Sequence, residues 1–378
     1  MWSRFWIAAV LFHAGFLGLC LVVFRRWLQR SRELNGTGPW LRMLAIDALR
    51  LLVSVVPLAS LAAVVGPPSG FTILRFLAQG LFGETLILIV LLSALLVARG
   101  SRWLGAFASV VALSLLAVYV EAYHREPTDL QVRTHVVQLG RFPEHPLRLL
   151  HVSDIQTPAV GPYEERVVAE AVALRPDLIV LTGDYVQPRL RPTRSRARAD
   201  LRPLLRRLAA AARLGAYAVR GDVDVDWPEV IDDTGITPLS GESMRIAVPG
   251  GRSLTLVGLT PGMSRGHEPL ALEKLLSEAP VADVRIVFGH NPNFVATLAD
   301  AGVNADLVLA GHTHGGQVVL PFFGAPMTKT NLPRRYASGL HDYSGLALHV
   351  SAGVGMERGA APQIRFLCPP EICLLELR

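Results

Sequence analysis

Cysteine is scarce in this chain, with three residues among 378. That number is too small for a disulfide framework. Cys20 sits in an apolar run, and Cys368 and Cys373 lie near the end of the chain, where they read as packed strand residues. Lysine is almost missing, so the formal net charge of +6 is carried by arginine. Without a nucleic-acid-binding motif such a charge does not indicate DNA or RNA, and no nucleic-acid partner is expected. It suits an anionic membrane surface or an anionic substrate instead. There is no internal repeat. No small-residue cleavage site follows the first apolar run, which argues against a cleaved signal peptide.

What is abundant is hydrophobicity, 51% of residues, with the excess concentrated before residue 121. Four apolar segments, residues 5–24, 44–65, 77–98 and 104–120, each approach the ~20 residues with which an α-helix crosses a bilayer core. A buried soluble helix would account for one such run but not for four. Residues 1–124 therefore read as a four-helix transmembrane region, 125–146 as linker and domain entry, and 147–378 as a further domain. Arginine placement predicts the orientation. Arg25, Arg26, Arg30, Arg32 and Arg42 follow the first segment and Arg99 and Arg102 the third, against Arg4, Arg75 and Arg125 on the opposite side. The expectation is a multi-pass cell-membrane protein with the bilayer as partner and an extracytoplasmic C-terminal domain. Asp47 and Arg50, three apart, are placed to pair. The sequence names no partner for Glu84 or His13.

Beyond the linker the pattern changes. Short apolar runs ending in polar residues ("LRLLHVSD", "PDLIVLTGDY", "AYAVRGD", "VRIVFGHN", "ADLVLAGHTH") alternate with helix-like stretches at 164–174, 201–214, 270–279 and 293–301. That alternation predicts strand–helix–strand units and a largely parallel sheet. "SMRIAV" and "SLTLVGL" read as a hairpin. "QVVL", "LALHVSA", "QIRFL" and "EICLLEL" suggest a second, mixed sheet. The basic segment 188–202 reads as a solvated loop and helix start, or alternatively as a contact for anionic head groups.

Five of those runs finish in potential metal ligands: Asp154 and Gln156, then Asp184, then Asp222 and Asp224, then His290, then His312 and His314. In open α/β sheets, sites form outside the carboxyl ends of strands, so residues far apart in sequence can converge there. Carboxylates and imidazoles bind Mn²⁺, Fe or Zn²⁺ without thiolates. Two such ions can activate water and stabilise charge on a phosphoryl group. Glycine beside the ligands (Gly183, Gly221, Gly289, Gly311) allows close backbone approach.

The ordered set "SDIQ", "TGDY", "RGDVD", "FGHN" and "AGHTHGGQ" resembles the calcineurin-like metallophosphoesterase family over about Leu147–Arg378. The tail "GHTHGGQVVLP…YASG…LHVSAGVG…PEICLLEL" is similar to its membrane-anchored YkuE/YaeI-like branch. The resemblance implies an α/β fold in which the N-terminal four-helix transmembrane region is followed by a four-layer α/β/β/α sandwich. It implies two divalent metal ions, Asp154, Gln156, Asp184 and His314 around one, and Asp184, Asp222, His290 and His312 around the other. The activity implied is metal-dependent hydrolysis of a phosphoester. Tethering favours a phospholipid or a lipid-linked cell-envelope phosphodiester.

Three positions depart from the family pattern. Gln156 stands where histidine is usual, which shifts the expected metal towards Mn²⁺ or Fe over Zn²⁺. Asp222 replaces asparagine and adds negative charge. Val223 replaces a histidine assigned to transition-state stabilisation or leaving-group protonation, leaving the catalytic acid unidentified. General acid assistance is worth about 10²–10⁴-fold. His267 in "SRGHEPL" is a weak candidate for that part, although an exposed loop histidine is its plainer reading. These departures keep open a second function, a metal-binding sensor of the same fold without turnover.

Overall fold

Among the described residues, four helices are long and apolar enough to cross a membrane: α1 (Trp2–Arg30), α2 (Thr37–Val65), α3 (Gly70–Ala98) and α4 (Arg102–Val120). The computed structural model describes residues 2–34, 37–65, 70–142, 146–187, 191–359 and 361–378. It divides into two units, Met1–His124 with Gly359–Gln363, and Arg125–Arg358 with Ile364–Arg378. The helices outrun the apolar segments because no proline or glycine interrupts flanks such as Arg25–Arg30, so the helical ladder continues into polar sequence.

Within the helical unit, Phe5, Phe12, Phe16, Trp27, Trp40 and Phe76 form the packed interior. Val10, Leu52, Val53, Val64 and Leu113 point outward. Apolar side chains inside and outside are what a bundle surrounded by lipid requires. Glu84, for which the sequence names no partner, meets His13 Nδ1 at 2.6 Å through Oε1. Asp47 is buried and takes Arg50 Nη1 at 2.8 Å, Trp27 Nε1 at 3.0 Å and Arg26 at 3.2 Å. Asp47 and Glu84 are thereby paired, as the desolvation of a charge within an apolar helix bundle demands.

The second unit holds two six-stranded sheets. The first carries β1 (Gln131–Val137), β2 (Leu147–Val152), β3 (Leu178–Leu181), β4 (Ala216–Ala218), β5 (Ile236–Pro238) and β12 (Glu371–Leu377), in the order β1-β12-β2-β3-β4-β5. The second carries β6 (Glu242–Val248), β7 (Arg252–Gly258), β8 (Val284–Phe288), β9 (Leu307–Ala310), β10 (Gly339–Tyr343) and β11 (Leu346–Val350), in the order β10-β11-β9-β8-β7-β6. Helices α5 (Pro162–Ala173) and α6 (Arg191–Ala209) connect strands of the first sheet; the short turn α7 (Pro261–Ser264), α8 (Pro269–Glu278) and α9 (Phe294–Asp300) connect strands of the second.

Strand parity builds the layers. On the first sheet Leu150, Val152, Ile179 and Leu181 face Val167, Ala171, Leu201 and Leu205 of α5 and α6. The alternate residues Leu149, Leu178 and Val180 face Leu254, Ile286, Phe288 and Leu309 of the second sheet. Val257, Val287, Val308 and Val350 turn the other way, onto Leu272, Leu276, Phe294 and Leu298 of α8 and α9. The result is the four-layer α/β/β/α sandwich. Each buried Leu, Ile, Val or Phe side chain among these contributes about 1.5–3 kcal/mol.

Several local expectations need correction. "EICLLEL" is β12, and it lies between β1 and β2 in the first sheet rather than in the second. "QVVL" and "QIRFL" lie outside both sheets, and their backbones pair at the isolated bridge Val318–Phe366. The segment 125–146 contains β1, which pairs in parallel with β12. All three cysteines are free, and Cys368 lies in a loop. Of the basic segment, 188–190 lie outside the described residues; the rest is helical. Its arginines are largely engaged: Arg198 pairs with Glu229 and Asp226, and Arg202 and Arg206 bind the backbone carbonyls of Glu229 and Asp233.

Candidate metal centre

The seven side chains singled out from the sequence meet at one edge of the sandwich. Asp154 and Gln156 follow β2, Asp184 follows β3, Asp222 follows β4, His290 follows β8, and His312 and His314 follow β9. Both sheets thus end their central parallel strands at the same place, and the loops beyond them have to turn sharply. Five of the seven residues occupy the left-handed region: Asp154 (φ 51°), Gln156 (φ 38°), Asp184 (φ 60°), His312 (φ 70°) and His314 (φ 49°). Non-glycine residues adopt that region at a cost and cluster there at functional sites. The glycines make room for this crowding. A Cβ on Gly221 would overlap Asp184 Oδ1, and one on Gly311 would overlap Ser153 Oγ and Asp154 Oδ2.

The donor atoms are close together and mostly buried. His290 Nε2 lies 3.3 Å from Asp184 Oδ2 and 3.5 Å from Asp222 Oδ1, and His312 Nδ1 lies 3.1 Å from His290 Nε2 and 3.6 Å from Asp222 Oδ2. His314 Nε2 lies 3.4 Å from Asp154 Oδ1. One ligand atom from each of Asp222, His290 and His312, and likewise from each of Asp154, Asp184 and His290, falls within 4.8 Å of the others. His290 is oriented by its Nδ1, which donates to the Thr182 carbonyl at 2.8 Å and leaves Nε2 facing the carboxylates. Asp184 is held on both oxygens. Oδ2 accepts from Gln156 Nε2 at 2.6 Å, and Oδ1 accepts from the Val223 backbone N–H at 3.0 Å. Gln156 therefore acts as a donor to Asp184, a part that its amide oxygen alone would not have suggested.

Whether this set fits a cation is answered by what it leaves unpartnered. Among the described residues, Asp154 Oδ1 and Gln156 Oε1 are buried with no hydrogen-bond partner, as is His314 Nδ1, the nitrogen other than the one nearest Asp154. Orphaned oxygens on Asp154 and Gln156 are costly unless something positive meets them. Carboxylate, amide oxygen and imidazole are all suitable ligands for a divalent cation. The charges agree. Burial raises Asp154, and raises Asp184 to about 6 against the opposing pull of His290. Burial also acts to raise Asp222, but hydrogen bonding and charge from His290, then His312 and Lys329, hold it below the usual carboxylate range. His312 is pushed down to about 3 by burial and by His290, and His314 well down by burial and by Arg365. Neutral imidazoles are the ligating form.

His290 behaves differently. Burial lowers it, yet Asp184, Asp222 and Asp154 outweigh burial and raise it well above 6.5. A proton on His290 and a divalent cation compete for the same negative charge. Below the His290 pKa the proton must be displaced; above it, none is present. Cation affinity should therefore rise with pH and binding should release a proton. Calorimetric titration in buffers of differing ionisation enthalpy reads that proton directly, and a pH-independent affinity would contradict the assignment of His290.

Two residues have parts that the sequence reading did not give them. Asp224, grouped there with Asp222, is buried and turned away from the donor cluster. Its carboxylate accepts from the backbone N–H groups of Asp184 (2.8 Å), Tyr185 (2.9 Å) and Gly221 (2.8 Å), bracing both loops. Arg265, just after α7, donates from Nη2 to Asp222 Oδ2 at 2.8 Å and so meets the charge added at that position. His267 is exposed, and among the described residues no side-chain hydrogen bond or ion pair joins it to the cluster. His341 caps the Ser338 carbonyl at 2.7 Å and does not line the site.

The model of the calcineurin-like phosphoesterases matches residues 147–316, which contain all seven positions. The chain is 30% identical over 284 residues to the phosphodiesterase YaeI of Escherichia coli K12, covering 73% of this chain and 98% of that protein. This chain belongs to the calcineurin-like phosphoesterase family. It is also similar to the metallophosphoesterase YkuE of Bacillus subtilis (26% over 286 residues, 72% of this chain and 95% of that one). The UDP-2,3-diacylglucosamine pyrophosphatase LpxG of Chlamydia trachomatis is 25% identical over 308 residues (68% and 92%). Membership in a family of divalent-metal phosphoesterases supports a phosphoric ester hydrolase.

Proposed function

We propose that this phosphoesterase is anchored in a membrane by α1–α4 and hydrolyses a phosphodiester of a lipid or lipid-linked molecule with two divalent cations. The observation that carries the reading is the meeting of Asp154, Gln156, Asp184, Asp222, His290, His312 and His314, with Asp154 Oδ1 and Gln156 Oε1 buried and unpartnered among the described residues. Asp154, Gln156, Asp184 and His314 would hold one cation, and Asp184, Asp222, His290 and His312 the other. Two bound cations would supply activated water and neutralise phosphoryl charge. The amide and carboxylate donors at positions 156 and 222 favour Mn²⁺ or Fe over Zn²⁺.

The chain's own residues do the rest. Asp184 is fixed on both oxygens and lies between the two sets. Asp224 locks the loops that carry Asp184 and Asp222. Arg265 offsets the Asp222 carboxylate at the rim, so that the added negative charge does not repel an anionic substrate. The lipid substrate class is supported by the apolar helices and by the diacylated substrate after which the similar LpxG is named. Arginine asymmetry favours an extracytoplasmic catalytic domain; a reporter fused after residue 125 that works only in the cytoplasm would reverse this.

The full chain, purified in detergent, is expected to hydrolyse bis-nitrophenyl phosphate with Mn²⁺, to lose activity to a chelator and to regain it with Mn²⁺. His312→Ala should lower turnover by about 10²–10³-fold, equivalent to several kcal/mol of charge stabilisation. Bound cations and tight phosphate binding without any turnover would replace the hydrolase with the sensor.

A further inference from the structure

A second polar cluster lies between the two sheets, away from the ligands named above. His135 of β1, Cys373 of β12 and His151 of β2 share strand parity with Val137, Leu375 and Leu149, whose side chains fill the inter-sheet layer. His349 of β11 enters the same layer from the opposite sheet, its neighbours Leu348 and Val350 facing the other way. His349, His151 and Cys373 are fully buried and His135 half-buried. One donor atom from each of His135, His349 and Cys373 lies within 4.8 Å of the others.

A hydrogen-bond chain fixes the protons. Ser153 Oγ lies 2.5 Å from Asp154 Oδ2, Thr182 Oγ1 2.7 Å from Ser153 Oγ, His151 Nε2 2.9 Å from Thr182 Oγ1, and His349 Nδ1 2.8 Å from His151 Nδ1. An ionised carboxylate only accepts, so Ser153 donates to Asp154. Ser153 then accepts from Thr182, Thr182 accepts from His151 Nε2–H, and His151 Nδ1 is left as a lone pair. His349 Nδ1–H must donate to it. A neutral His349 therefore carries a bare lone pair on Nε2, and that atom is buried with no hydrogen-bond partner among the described residues. Its other nitrogen is held by a hydrogen bond, as ligating histidines usually are. A buried lone pair is costly unless a proton donor or a cation meets it.

We propose that His135, His349 and Cys373 form a second metal site, for a single Zn²⁺, joined through His151, Thr182 and Ser153 to Asp154. Two imidazoles and one thiolate are a borderline-soft donor set that suits Zn²⁺ and differs from the oxygen-rich set at the strand ends. Binding displaces the Cys373 thiol proton, which leaves to solvent. The direction of the chain rests on Asp154 being an ionised ligand of the first centre; the convergence of His135, His349 and Cys373 does not.

The test is a Co²⁺ titration of the full chain in detergent after chelator treatment. A thiolate-to-cobalt charge-transfer band is expected in the wild type and in Cys20→Ser and Cys368→Ser. It should vanish in Cys373→Ser, with one equivalent of cobalt lost per chain. His135→Gln, at a half-buried edge position, should also remove it and serves if Cys373→Ser disrupts folding. A wild type without the band, or a band unaffected by both substitutions, overturns the proposal. Asp184→Asn should leave the band intact. If the strand-end centre takes up no cation while the band persists, the hydrolase reading fails and this site stands.

Discussion

Asp184→Asn is expected to lower phosphodiester turnover by about 10³-fold and to strip cation from the protein while leaving the fold intact. The reason is hydrogen-bond polarity more than charge. Asp184 accepts from Gln156 Nε2 on one oxygen and from the Val223 N–H on the other, and the oxygen bound by Gln156 also lies 3.3 Å from His290 Nε2. An asparagine must point its NH₂ at one of those two donors: turned to Val223 it meets a backbone N–H that can only donate, and turned to Gln156 it forces that amide to flip and takes up the Gln156 oxygen as its acceptor. A carboxylate that faces both ligand sets is also lost. Circular dichroism should be unchanged, because the backbone around position 184 is held independently by Asp224. Metal analysis and turnover should fall together. Turnover within tenfold of wild type, with cation retained, would remove Asp184 from the centre.

The contrast between Asp184 and Asp224 shows how much of the site is legible in the sequence. Both follow glycine-containing strand ends, both are acidic, and both are raised to about 6, chiefly by burial. Only coordinates separate them, because the difference lies in which groups each faces. Asp224 is saturated by three backbone N–H groups, whereas Asp184 faces imidazole and amide. The strand ends themselves are readable because an apolar run buried on both faces has to stop where the sheet stops. The partner of such a run is not readable. β12 pairs with β1 and β2, more than 200 residues earlier in the chain, and nothing local to "EICLLEL" encodes which sheet it joins. Arg265 was hidden for the same reason. An arginine in "GMSRGHEP" becomes meaningful only when α7 carries it to Asp222, while the histidine two residues on, more conspicuous as a residue type, stays in solvent. His13 and Glu84 are a third case, since a pair 71 residues apart on different helices has no signature in either apolar run.

Arg265→Ala should cost about 10²–10³-fold in kcat/KM, the effect of losing one preorganised charge beside a phosphoryl group. Removing the guanidinium leaves Asp222 as an unbalanced carboxylate at the mouth, so KM for an anionic diester should rise as well as kcat fall. The Val223→His variant probes the same place from the other side. The Val223 backbone is anchored through its N–H to Asp184 and through its carbonyl to Arg194 Nη1 at 3.1 Å, so a new side chain can be introduced without disturbing the ligand loop. An imidazole there should raise kcat by about 10²-fold, the lower end of general acid assistance, for diesters with alkoxide leaving groups. It should do little for nitrophenyl esters, which leave without a proton. If Arg265 carries part of the stabilisation that the missing histidine would have given, the two substitutions cannot be additive, and Arg265→Ala should cost less in the Val223→His background. Equal costs in both backgrounds would reduce Arg265 to a counter-ion for Asp222. Asp222→Asn separates the remaining possibility, since a pure counter-ion becomes dispensable once the carboxylate is gone.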